Sequence, residues 1–136
     1  MKTEVLTNNP DIAAYMPADF SLVLMEEGDP SAVLLTARDR IHLGAKLLAH
    51  PMTGRLLPNE TPYRMAVLEC LQASSGPAKG SGPSLDLPSL EIIEYCLAEE
   101  SKYAKMRKKY DAQVLADLRF IDCELFRSIL LELGAR

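Results

Sequence analysis

A chain of 136 residues, 48% apolar and 25% charged, is long enough for one domain with its own core and needs neither disulfides nor metal to hold it together. Its formal net charge of −4 gives no overall attraction to nucleic acid or to anionic membranes. The three cysteines, Cys70, Cys96 and Cys123, are odd in number, far apart and form no CxxC pair, which argues against a disulfide scaffold and reads as reduced, buried thiols.

Trp is absent and aromatic residues are 6%, so the core must be built mostly from aliphatic side chains. Met1-Lys2-Thr3-Glu4 lacks the apolar run of a signal peptide, and no stretch approaches the ~20 apolar residues of a membrane span. The expectation is a cytoplasmic protein with neither membrane nor nucleic acid among its partners.

In chain order, Glu4 to Thr7 reads as a first strand ending at the turn signal Asn8-Asn9-Pro10. Asp11 to Met16 fits one helical turn before Pro17. Phe20 to Met25 is a second strand, its unbroken apolar run suiting burial on both faces of a parallel sheet. Asp29-Pro30 opens a helix with a capping carboxylate followed by Pro at the first helical position. Val33, Leu34, Ala37 and Ile41 form its inward side, and Gly44 is its stop. Lys46 to Ala49 gives a third strand, so that strand, helix and strand suggest a βαβ unit.

His50 to Tyr63 is a loop containing Pro51, Gly54, Pro58 and Pro62, followed by a fourth strand over Arg64 to Leu71. Gln72 to Pro83, with its Gly, Ser and Pro, reads as a mobile connection extending to about residue 87 within the single domain 1–136. A long helix starts near Pro88 under an Asp86 or Ser89 cap, with Ile92, Ile93, Cys96, Leu97, Tyr103 and Ala104 inward. After a break at Tyr110-Asp111 comes a helix with Val114, Leu115 and Leu118, and Asp122 is placed as the cap of a final helix ending at Gly134. The expected fold class is therefore α/β: a small, mostly parallel four-stranded sheet flanked by helices, with a helical C-terminal part.

Ligands of such sheets bind beyond the carboxyl ends of the strands. Here those ends are followed by Thr7-Asn8-Asn9 and by His50 to Arg64. If these loops meet, Thr7, Asn8 and Asn9 would join His50, Thr53, Gly54 and Arg55, with Asn59, Thr61 and Tyr63 adding donors and acceptors. Arg55 offers a planar fork for a carboxylate or phosphate, and Gly54 permits close backbone approach. The competing reading is that Asn and Thr satisfy their own loop backbone. An imidazole titrates near neutral pH, so His50 could act as a general base oriented by Glu60; a structural His at a strand end is the commoner case. His42, in the last turn of the first long helix, fits a helix-end contact better than a substrate contact.

The two histidines and unpaired cysteines give no metal-ligand spacing, and neither a Walker loop, a GxGxxG nor a GxSxG motif occurs, so no cofactor is expected. Lys102, Lys105, Arg107, Lys108 and Lys109, with Tyr103 and Tyr110, form a basic cluster that reads first as a solvated helix end and second as a docking patch for an acidic partner.

Val5-Leu6-Thr7-Asn8-Asn9-Pro10, the block Ile41 to Gly54 (IHLGAKLLAHPMTG), Pro58 to Arg64 (PNETPYR), Leu85 to Glu94 and Phe120-Ile121-Asp122 together resemble the GrdX family over nearly the whole chain. The resemblance implies an accessory role beside the glycine, sarcosine and betaine reductases of amino-acid-fermenting anaerobes, with reductase subunits as partners. It brings no established activity and no catalytic residues. Relative to the family pattern, the connection from Gln72 to Pro83 is longer, and the cysteines do not resemble a redox pair.

The leading expectation is an accessory or regulatory protein binding a small anionic ligand, such as an amino-acid carboxylate or an acyl phosphate, through the His50–Arg64 loop. The alternatives are a small hydrolase or isomerase with His50 as base, and a protein-interaction module. Self-association through an exposed helix face is left open.

Overall fold

A computed structural model describes residues 2–52, 56–70 and 85–134. The elements are β1 (Lys2–Thr7), a 3-10 turn (Pro10–Tyr15), β2 (Ser21–Leu24), α1 (Pro30–His42), β3 (Lys46–Leu47), β4 (Met65–Cys70), α2 (Leu87–Tyr103), a short 3-10 turn (Ala104–Met106) and α3 (Ala112–Glu132). The Gly/Ser/Pro-rich connection expected over 72–87 lies outside the described residues as far as residue 84.

Helix boundaries follow the capping chemistry. Asp29, Asp86 and Asp111 each accept a hydrogen bond from a backbone amide of the first turn of α1, α2 and α3, satisfying donors that the helix cannot. Gly44, just beyond α1, and Gly134, just beyond α3, have φ of 103° and 73°, a backbone that a Cβ penalises.

The strands form one sheet in the order β2-β1-β4-β3. β1 pairs with β2 in parallel, whereas β4 runs antiparallel to both β1 and β3. The sheet is therefore mixed, which corrects the expectation of a mostly parallel one. Parallel neighbours need a long, usually helical crossover, and the described parts of the segment between β3 and β4 hold no helix, so the chain turns back. The unbroken apolar runs arise because both faces are covered, a condition that a mixed sheet meets equally well. The strands flanking α1 run in the same direction but occupy opposite edges, so they are not neighbours.

Side chains alternate between two cores. Leu6, Ala66 and Leu68 pack under α1 and α2 with Val33, Leu34, Ala37, Ile41, Ile93 and Cys96. Val5, Met65 and Val67 point the other way, onto Ile12 and the α3 residues Cys123, Phe126 and Leu130. α3 is one continuous helix, so Asp122 is not a cap but lies in its middle, buried. This corrects the division of the C-terminal helix. Among the described residues no helix is long and apolar enough to cross a membrane.

Candidate functional site

β1 and β3 end, and β4 begins, at the same end of the sheet, so Thr7-Asn8-Asn9 leaves it beside the residues that enter β4, the last of the segment joining β3 to β4. Thr7, which ends β1, and Asn8 and Asn9 after it are fully buried. Asn8 acts as a clamp: its Nδ2 donates to the carbonyls of Glu27 (2.9 Å) and Pro62 (2.8 Å), and its Oδ1 accepts from the Arg64 amide (2.8 Å). Thr7 Oγ1 donates to the Arg64 carbonyl (2.7 Å) and accepts from the Asn9 amide (3.1 Å). Asn9 Oδ1 accepts from the Asp11 amide, while Nδ2 reaches the Arg119 carbonyl and Asp122 Oδ2. These side chains hold β1, the segment before β4 and α3 together.

Arg64, almost fully buried, organises that segment. Its Nη1 donates to the Thr61 and Tyr63 carbonyls and its Nη2 to the Pro58 carbonyl. Glu100, equally buried near the end of α2, pairs with its Nε and Nη2 at 2.9 and 2.8 Å and also binds Arg107. A buried guanidinium needs such a partner to offset its desolvation. Tyr110 hydroxyl donates to the Glu60 carbonyl, and the Lys108 amide to the Asn59 carbonyl, so the connection after α2 is tied to the same segment.

Between β4, α3, residues 49–52 and residues 56–58 lies a cavity of about 530 Å³, within the roughly 300–1,000 Å³ typical of small-molecule sites. Met52, Leu56, Leu57, Met65, Val67, Leu118, Ile121, Leu125 and Ile129 make its wall largely aliphatic. The polar contributors are His50, Thr61, Tyr63, Arg64 and Asp122. Asp122 is 8% exposed, and burial pushes its carboxyl up to about 6 against the opposing pull of the Asn9 hydrogen bond and Arg64. Tyr63 hydroxyl donates to Glu27 Oε2 and accepts from Arg119 Nη1, both at 2.9 Å. Burial raises its phenol above the usual range, with the Arg119 hydrogen bond acting in the opposite sense.

Residues 49–52 and 56–58 thus wall the cavity on one side, and buried polar clamps hold the residues that run from Pro58 to Arg64. The GrdX-like protein family model matches residues 4–131. The chain belongs to the GrdX-like family. No curated protein and no solved structure matches it. In this GrdX-like chain the residues matched include every described element that builds the cavity.

Of the ligand-binding residues expected from sequence, His50, Thr61 and Tyr63 line the cavity, whereas Thr7, Asn8 and Asn9 sit behind it in the clamps. Thr53, Gly54 and Arg55 lie outside the described residues. His50 Nδ1 accepts from the Met52 amide (3.1 Å) and its ring meets Tyr95 edge-on at 6.1 Å. Glu60 Oε1 accepts from the Leu57 amide (2.8 Å), closing its own turn. Asn59 Oδ1 is buried with no hydrogen-bond partner among the described residues. The sequence reading missed Arg64, Glu100, Arg119 and Asp122 as site-forming residues of the GrdX-like chain. Cys96 and Cys123 are buried, and burial lifts their thiols to about 12 and about 11; all three cysteines are free. Among the described residues no group of three or more His, Cys, Asp or Glu could hold a metal ion.

Proposed function

We propose that this chain is an accessory or regulatory protein of a glycine, sarcosine or betaine reductase system that binds a small anionic ligand under the 50–64 segment. The observation that carries the reading is the cavity at the strand-end edge, walled by that segment and supplied with a polar side by His50, Thr61, Tyr63 and Arg64. Membership of the GrdX-like family supports the reductase setting. Arg55 adds a cation to the same segment in sequence. Calorimetry with an amino-acid carboxylate and with acetyl phosphate tests the site: His50→Ala and Arg55→Ala should each weaken binding about tenfold, the equivalent of one charge-assisted contact. Unchanged affinity in both variants removes it.

A second reading, a protein-interaction module, is favoured by the exposure of Lys102 in the last turn of α2 and of Lys105, Lys108 and Lys109 just after it. Retention of reductase subunits by the immobilised chain, and its loss on reversing these four charges, is the expected result. Retention unaffected by the reversal excludes the patch.

A further inference from the structure

The 530 Å³ cavity is too aliphatic to be explained by a small polar anion alone, and the one acidic residue of its described wall, Asp122, is unevenly used. Asp122 Oδ2 accepts from Asn9 Nδ2 at 2.9 Å. Asp122 is 8% exposed and lines the cavity, and among the described residues Asn9 Nδ2 is the one donor that reaches its carboxyl group. A carboxyl oxygen that meets an aliphatic cavity without a donor favours either a donor from a ligand or a proton of its own.

We propose that the cavity takes an aliphatic carboxylic acid whose head group shares one proton with Asp122. The inference rests on the cavity being the ligand site and adds the ligand's class and its linkage to pH. The aliphatic wall fits a saturated hydrocarbon body, gaining burial in proportion to chain length. Two carboxyl groups in contact cannot both be ionised, so they bind by sharing a proton, which here lies between Asp122 and the ligand head.

An alkylammonium head fits less well. Arg64 and His50 stand on the same wall, and Glu100, the counter-ion of Arg64, is also engaged by Arg107, so that cluster carries a surplus positive charge. Tyr63 and His50 are the aromatic residues of the described wall, too few for an aromatic cage around a cation. Among the described residues, other charged and titratable groups near Asp122 include Cys123, beside it on α3, and Arg119, whose carbonyl shares Asn9 Nδ2 with Asp122 and whose guanidinium pairs with Asp11. Burial has already brought Asp122 close to its protonated form, at about 6.

Above that value, binding of a carboxylate must take up one proton, so affinity falls about tenfold per pH unit. Asp122→Asn replaces the protonated carboxyl by a permanent neutral donor and should make affinity for the acid nearly independent of pH.

The test titrates the full chain with octanoate, octanol and octylamine between pH 6 and pH 8. Octanoate should bind about fiftyfold more weakly at pH 8 than at pH 6, because Asp122 is already half ionised at pH 6, and the variant should retain its pH 6 affinity throughout. Calorimetry of the wild-type chain in two buffers of different ionisation enthalpy should show uptake of about one proton per octanoate at pH 7, a readout that does not depend on the variant folding. Octylamine binding more tightly than octanoate, or an equal pH dependence in the variant, overturns the shared proton. Octanol binding without octanoate removes only the carboxylic head. Failure of all three ligands removes the cavity as an apolar ligand site, whereas loss of reductase association alone would leave the shared proton intact.

Discussion

Asp122→Asn is the perturbation whose effect on stability follows most directly from the structure. An ordinary Asp titrates near 3.9, whereas Asp122, 8% exposed, titrates at about 6. The native state thus binds this proton more tightly than the unfolded chain does. The favourable contribution of the protonated carboxyl is complete below pH ~4 and disappears as pH rises to ~6. Above pH 6 the native chain carries a buried, ionised carboxylate. Two pH units at about 1.4 kcal/mol each make that a cost of about 3 kcal/mol. Asn at this position can still accept from Asn9 Nδ2 and carries no charge to desolvate. Urea unfolding from pH 4 to pH 8 should therefore show the variant more stable by up to about 3 kcal/mol at pH 8, with the difference shrinking toward pH 4. The wild-type-minus-variant difference isolates this group from the other carboxylates. A flat difference curve, or a variant less stable than wild type at pH 8, would refute the reasoning.

Three further outcomes test the framework around the cavity. Glu100→Ala strands the buried guanidinium of Arg64 and should cost about 3–5 kcal/mol in chemical denaturation; a loss under about 1 kcal/mol would mean that Arg64 finds water. Asn8→Ala leaves the Pro62 and Glu27 carbonyls and the Arg64 amide without their partner, with an expected loss of about 2–4 kcal/mol, and hydrogen exchange should rise first at Arg64. In iodoacetamide labelling at pH 8, half-buried Cys70 should react before Cys96 and Cys123, whose burial holds both thiols protonated; equal rates would contradict the packing of α2 and α3 on the sheet.

Much of the scaffold was legible in the sequence because local chemistry decides it. The Asp29-Pro30 start, the Asp86 cap and the glycines at 44 and 134 each do one backbone task that few other residues do as well. Strand direction was not legible: Met65 to Leu68 is buried on both faces whichever way β4 runs. Asp122 misled because Asp favours helix caps, yet Leu118 and Phe126, four residues to either side, already marked one continuous inward stripe. Glu100 carried a similar signal, seven residues beyond Ile93 and four beyond Cys96 on the buried face of α2. A charge on an apolar stripe implies a buried partner, but one chain without coordinates does not say that the partner is Arg64. That Thr7-Asn8-Asn9 meets the 50–64 segment could be inferred from strand ends. That their side chains are engaged with backbone and α3 depends on distances of an ångström or less.

One guanidinium grips three carbonyls on the cavity's rim while its counter-ion belongs to the closing turns of α2. The rim and the lysine-bearing end of that helix are thereby geared to one another: neither can shift far without dragging Arg64 and Glu100 along.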